Sequence, residues 1–158
     1  MAPINHHKVE KMLKIRMSRP SEAPEIIQIW KNSVDATHDF LTVHDRQEIE
    51  KEVVGFFSET PVWVATNQEG HPLGFMFLHD GHLEALFVDA SARGLGVGKQ
   101  LISHALALHP GLSVDVNEQN QQAAGFYQHM GFQVSGRSEL DNQGRPYPLL
   151  HLSRANGM

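Results

Sequence analysis

Asp80-Gly81 stands between two apolar runs, Leu73–His79 and His82–Asp89. A two-residue Asp-Gly connection favours the type I′ turn, whose two central residues need positive φ and whose twist suits antiparallel strands. The middle of the chain therefore reads as a β-hairpin. A third strand, Pro61–Thr66, precedes it across the turn Asn67-Gln68-Glu69-Gly70. Three successive strands rule out a purely parallel sheet and make the sheet mixed.

Helical patterns flank this block. Ala23, Ile26, Ile27, Trp30 and Val34 recur at helical spacing, with Pro24 in the first turn, where proline is tolerated. A second helix is expected over Asp45 to Phe57. A third carries Leu101, Ile102, Ala105, Leu106 and Leu108 and ends before Pro110. A fourth runs from Gln119 to Met130 and is closed by Gly131. Further strands are Met12–Ser18, Leu112–Val116, Phe132–Ser138 and Leu149–Ser153. The order is β-α-α-β-β-β-α-β-α-β-β, an α/β chain with one domain over residues 12–153. Residues 1–11 lack periodicity and read as a flexible extension; residues 154–158 read as a short tail.

Composition narrows the classes. There is no cysteine among the 158 residues, which excludes disulfides, thiolate metal sites and a cysteine nucleophile. Lys and Arg number 13 against 18 Asp and Glu, a net charge of −5. That balance argues against a nucleic-acid binder. No apolar run approaches the roughly 18 residues of a membrane span, and no secretory segment follows the N-terminus. The expectation is a cytoplasmic domain with no membrane contact.

The densest feature is Arg93-Gly94-Leu95-Gly96-Val97-Gly98-Lys99, set between a strand and a helix. Glycines let the backbone approach a ligand, and a helix N-terminus offers free N–H groups to phosphate. A Walker A loop is excluded: Arg93 stands where its first glycine would be, and Gln100 follows Lys99 where Ser or Thr belongs. A dinucleotide fingerprint fits poorly, since the glycines are spaced G-x-G-x-G and the preceding strand closes a hairpin. A glycine-rich turn without a ligand stays open on this stretch alone.

Arg93, Gly96 and Gly98 match an R/Q-x-x-G-x-G/A loop. Downstream, Asn120, Ala123, Phe126, Tyr127, Gly131 and Phe132 match N-x-x-A-x-x-F/L-Y-x-x-x-G-F. Both motifs, in this order, resemble the GNAT superfamily of N-acetyltransferases over about residues 12–153. Ser33–Leu41 and Arg145–Leu150 resemble, more narrowly, a bacterial branch of it. The resemblance implies a GNAT fold: a mixed, mostly antiparallel sheet of about seven strands flanked by about four helices. It implies acetyl-CoA as donor, no metal, and direct transfer to a primary amine, either a protein lysine or N-terminus or a small cationic amine. The alternative is a catalytically weak acetyl-CoA-binding module. Either would be a monomer or a homodimer.

Site residues follow from the resemblance. The backbone of Gly94, Leu95, Gly96, Val97, Gly98 and Lys99 would cradle the pyrophosphate, with Arg93 adding positive charge. Leu86, Phe87 and Val88 would bond the pantetheine amides as an added strand, with the Val88 N–H facing the thioester carbonyl. Asn120 would hold the cofactor from the opposite side, and Tyr127 would protonate the departing thiolate. An attacking ammonium must lose a proton first. Asp115, Glu84 and His82 are competing bases, with a water chain as a fourth option. Helices one and two and the last loop would form the acceptor pocket, with His38, Asp39, Phe40 and Tyr147 against it and Leu41 nearby; the periodicity of Trp30 favours the core. His79 and His82 lack a third ligand by spacing, so a metal site is not expected.

Overall fold

The computed structural model describes residues 13–37 and 39–154, apart from the side chain of Thr37. The seven strands are β1 (Lys14–Met17), β2 (Trp63–Thr66), β3 (Pro72–His79), β4 (His82–Val88), β5 (Ser113–Asn117), β6 (Phe132–Ser138) and β7 (Leu149–Arg154). The four helices are α1 (Ala23–Thr37), α2 (Val43–Phe57), α3 (Val97–Leu108) and α4 (Gln121–His129). The element order is the one read from the sequence. The strands form one mixed sheet in the order β1-β2-β3-β4-β5-β7-β6. Asp80 (φ 50°) and Gly81 (φ 76°) both occupy the left-handed region, as a type I′ turn requires. The proposed extension at residues 1–11, and all but Arg154 of the proposed tail, lie outside the described residues.

The chain forms two compact units, one comprising residues up to Phe77 and Ala85–His104, the other Leu78–Glu84 and Ala105 onward. In the first, β2 is the antiparallel partner of both β1 and β3. The core joins Ile26, Ile29, Trp30 and Val34 of α1 to Phe57, Val62, Val64 and Phe75. Ile26, Trp30 and Val34 belong to the stripe that the helical spacing marks, Trp30 at 3 % exposure; Ile29 joins them from outside it, and Ala23 and Ile27 are only half-buried. Helix α2 begins two residues before the expected start, because the Thr42 hydroxyl oxygen accepts the Asp45 N–H at 3.1 Å. Glu22 closes the entry to α1. Arg16 donates to both of its carboxylate oxygens, at 2.9 and 2.8 Å, and the Arg19 N–H donates to it at 2.8 Å. The Arg16 guanidinium holds the Glu22 carboxyl down at about 2, against the opposing effect of burial.

Gly74 on β3 has a packing role. A Cβ placed there would lie 2.8 Å from Val97 Cγ1 and 3.1 Å from the Phe87 carbonyl oxygen. The missing side chain is what lets the first turn of α3 rest on the strand. Gly74→Ala should cost about 1–3 kcal/mol through overpacking, lowering Tm by roughly 3–10 °C. Thermal denaturation checks this, and a Tm within about a degree of the parent would mean that the helix yields freely.

In the second unit, β7 lies between β5 and β6 and is antiparallel to both. The register of β6 shifts between Val134 and Gly136, a bulge that leaves Ser135 out of the paired register, its hydroxyl donating to His151 O at 3.1 Å. Buried Leu83, Leu112, Val114, Val116, Phe132, Leu149 and Leu152 form its apolar interior. β4 runs parallel to β5 with His82 opposite Ser113 and Leu83 opposite Val114.

Candidate active site

In the first unit, the loop from Asp89 to Lys99 is shaped by its own glycines and by one anchor. Gly94 (φ 80°) and Gly96 (φ 81°) take left-handed conformations that a side chain would oppose. Val97 is the buried first residue of α3, at 1 % exposure, while Arg93, Gly94 and Lys99 are exposed. The first N–H groups of a helix have no carbonyl one turn back; in this turn the Gln100 N–H reaches Gly96 O at 2.9 Å. No acidic residue occupies the first turn. A glycine-shaped helix N-terminus with Arg93 and Lys99 beside it suits the pyrophosphate of a nucleotide cofactor. Leu86, Phe87 and Val88 on β4 are half-buried.

The anchor is Asp89, a residue the sequence reading left out. Its carboxylate accepts from Asn32 Nδ2 on α1 at 2.9 Å and from the Ser91 N–H at 3.1 Å, and it also bonds the Ser91 hydroxyl. Burial pushes its pKa up, but these hydrogen bonds outweigh burial and hold it below the usual carboxylate range. The Asp-x-Ser spacing at 89–91 was a signal of the local turn; Asn32, 57 positions away, carried none.

Also in the first unit, α1 and α2 enclose a groove of about 400 Å³ lined by Val34, Asp35, Asp39, Leu41, Val43 and Arg46, among others. Asp39 is exposed and Phe40 half-buried. Arg46 bonds Asp35 at 3.0 Å and Glu50 at 2.7 Å, and its guanidinium lies 4.7 Å from the centre of the Trp30 ring. His38 lies outside the described residues.

In the second unit, two of the residues singled out in the sequence, His82 and Asp115, sit together. His82 Nε2 lies 3.4 Å from Asp115 Oδ2. His82 Nδ1 lies 2.6 Å from Ser113 Oγ. Asp115 Oδ1 lies 2.6 Å from Nδ1 of His151, a residue absent from the sequence reading. Glu84 is exposed, two residues along β4 from His82. Among the described residues no group of three His, Asp or Glu side chains is disposed to hold a metal ion.

Tyr127 on α4 is 6 % exposed. Its ring meets Phe126 and Phe132 edge-on, with centroids 5.1 and 5.7 Å away. Burial pushes its phenol pKa far up, so the group stays a protonated donor throughout the neutral range. Asn120 is the N-cap of α4, its Oδ1 accepting the Ala123 N–H at 3.1 Å. That bond is a local reason for asparagine at this position, independent of any ligand. Tyr147, expected at the acceptor pocket, is 6 % exposed in the loop before β7.

A glycine loop opening a helix and a mixed seven-stranded sheet together define the fold of acetyl-CoA-dependent transferases. The model of the acetyltransferase (GNAT) domain matches residues 58–134. The chain belongs to the GNAT family of N-acetyltransferases, enzymes that use acetyl-CoA as donor. It is 55 % identical over 141 residues to the peptidyl-lysine N-acetyltransferase YjaB of Salmonella typhimurium, covering 89 % of this chain and 97 % of that one. It is 52 % identical over 142 residues to Escherichia coli YjaB, covering 90 % and 97 %. The solution structure of apo-form YjaB from Escherichia coli matches with a TM-score of 0.88 at 51 % identity, covering 92 % and 99 %. No helix among the described residues is long and apolar enough to cross a membrane.

Proposed function

We propose that the chain transfers the acetyl group of acetyl-CoA directly to the side-chain amine of a protein lysine, in the cytoplasm. The proximity of His82 and Asp115 carries the mechanistic part of this reading: an imidazole backed by a carboxylate can take the proton that an ammonium must lose. The acceptor rests on relatives more than half identical that are named peptidyl-lysine N-acetyltransferases. A net charge of −5 favours a cationic protein acceptor over nucleic acid or an anionic membrane.

The roles divide as follows. Backbone N–H groups of residues 94–99 hold the pyrophosphate, and Arg93 and Lys99 add positive charge. Leu86 to Val88 bond the pantetheine arm along the strand, and the Val88 N–H stabilises negative charge on the thioester carbonyl oxygen. Asn120 holds the cofactor from the opposite side. His82, backed by Asp115, removes the ammonium proton; Glu84 is the competing base. The amine nitrogen forms the new bond to the acetyl carbon as the C–S bond breaks, and Tyr127 gives its proton to the leaving thiolate. With no cysteine in the chain, an acetyl-cysteine intermediate is excluded. His38, Asp39, Phe40 and Tyr147 form the acceptor side, and a monomer or a homodimer serves equally.

The test is an acceptor panel containing a basic protein, a lysine peptide, spermidine and an amino sugar. Thiol release and mass spectrometry are read together. The expected result is acetyl-lysine on the protein and peptide with matching release of CoA. Release with spermidine alone would move the acceptor to small amines. A thermal shift with acetyl-CoA but no release with any acceptor would make the chain a cofactor-sensing module.

A further inference from the structure

We propose that His151 is a positioning residue that, through Asp115, fixes the tautomer of His82 and so directs its basic nitrogen. This rests on the reading of His82 as the proton acceptor, and it adds to that reading a residue outside the family motifs.

The arrangement comes from strand register. β5 sets Asp115 opposite His151 on β7, and β4 sets His82 opposite Ser113 on β5. Ser113 and Asp115 are two apart on one strand and therefore share a face. All of these residues lie in the second unit.

The carboxylate fixes the donors and acceptors at His151, and from there the pattern favours one assignment at His82, where the Ser113 hydroxyl can either donate or accept. A carboxylate only accepts, so the 2.6 Å contact between His151 Nδ1 and Asp115 Oδ1 places the proton on Nδ1. In the neutral ring Nε2 is then an acceptor, and the Ser138 hydroxyl donates to it at 2.6 Å. With Oδ1 held by His151, Oδ2 is the oxygen turned toward His82 Nε2, at 3.4 Å, and a proton on that nitrogen is the arrangement a carboxylate oxygen favours. His82 Nδ1 is thereby the lone-pair nitrogen, accepting from the Ser113 hydroxyl at 2.6 Å. An ammonium proton passed to Ser113 Oγ, as its own proton moves to Nδ1, reaches His82 without moving the ring. The side chains of His82, Asp115 and His151 are 25, 22 and 35 % exposed, enough enclosure to hold the geometry and enough opening to exchange protons.

Without the donor at His151 Nδ1, the carboxylate is free to turn. Oδ2 leaves the His82 Nε2 proton, and the ring divides between its two tautomers. A donor restored near the Nδ1 position rebuilds the lock; one displaced toward Nε2 does not.

The test compares His151→Asn, whose amide nitrogen falls near Nδ1, with His151→Gln, whose amide nitrogen falls near Nε2. Imidazole ¹⁵N shifts of His82, recorded in the free enzyme, read its tautomer. The expected spectrum shows the Nε2–H form in the parent and in His151→Asn, and a mixture in His151→Gln. Expected kinetics are a kcat lower by about 10- to 100-fold in His151→Gln, the size usual for a residue that orients a catalytic imidazole. KM for acetyl-CoA should stay within about twofold, and His151→Asn should keep most of the rate. Asp115→Asn, which removes the carboxylate, is the second variant and should also give the mixture. An unchanged His82 tautomer in His151→Gln, or equal rates for the Asn and Gln variants, overturns the proposal. A His82→Ala enzyme working at full rate would instead remove His82 from proton transfer and leave the substrate-free tautomer measurement standing.

Discussion

Tyr127→Phe should lower kcat by about 10²- to 10⁴-fold and leave acetyl-CoA affinity within about twofold, the range expected when a single general acid is removed. The substitution is clean because it deletes one oxygen from a ring that is held by Phe126 and Phe132 on apolar contacts. Those contacts survive, so stability should change by no more than about 1 kcal/mol near neutrality. The environment also matches the task. Burial disfavours the phenolate and keeps the proton on Tyr127 until a thiolate, itself a strong base in an apolar setting, takes it. The same burial makes a pH prediction with a definite sign. The folded pKa is raised, so the stability tied to the neutral phenol is fully present below the unfolded value of about 10 and is lost as pH rises above it. Denaturation curves at pH 9 and 11 should therefore separate parent from variant, with the variant losing less. Steady-state kinetics with isothermal titration of acetyl-CoA settle the catalytic part. An unchanged kcat removes Tyr127 from the mechanism.

Local signals in this chain are those the sequence expressed most openly. Asp80-Gly81 announced its turn because two successive positive φ angles are costly for most residue pairs. The stripe from Ala23 to Val34 announced a buried face because helix geometry repeats every 3.6 residues. The start of α2 was misplaced by two residues because Thr42, a hydroxyl cap, outranks the first charged residue as a start signal. Gly74 was unreadable, since what it makes room for, Val97 and Leu101, lies more than twenty residues away. The same limit hid Ser113 and His151, the hydrogen-bond partners of His82 and Asp115. His82, Glu84 and Asp115 drew attention as titratable groups near family motifs, but their order of merit depends on pairing. His151 alternates with Leu150 and Leu152 in what reads as an ordinary half-buried strand. Only the β5–β7 register sets it against Asp115, 36 residues earlier. A bulge at Val134–Gly136 offsets the neighbouring β6 ladder, a shift the composition of that strand did not show.

His82→Ala and Asp115→Asn should each lower kcat by about 10²- to 10³-fold, and the double variant should be scarcely slower than the worse single one. Two groups that act as one base cannot be removed twice. Once the imidazole is gone the carboxylate has no proton acceptor to orient, and once the carboxylate is gone the imidazole is no longer held with its lone pair on the Ser113 hydroxyl. Were the two residues independent, for instance with Asp115 binding the ammonium and His82 acting elsewhere, the losses would multiply to about 10⁴- to 10⁶-fold. The cycle thus distinguishes one coupled centre from two separate contributions, which single substitutions cannot do. Glu84→Gln belongs in the same series as the competing base. Glu84 is exposed and lies outside the hydrogen-bonded set, so its loss should change kcat by less than about threefold. A large loss confined to Glu84→Gln would transfer the base to that carboxylate. Equal, small losses in all three variants would mean that water carries the proton away. The losses expected for His82 and Asp115 should appear in kcat with KM for acetyl-CoA little changed, because neither residue belongs to the glycine loop proposed for the pyrophosphate.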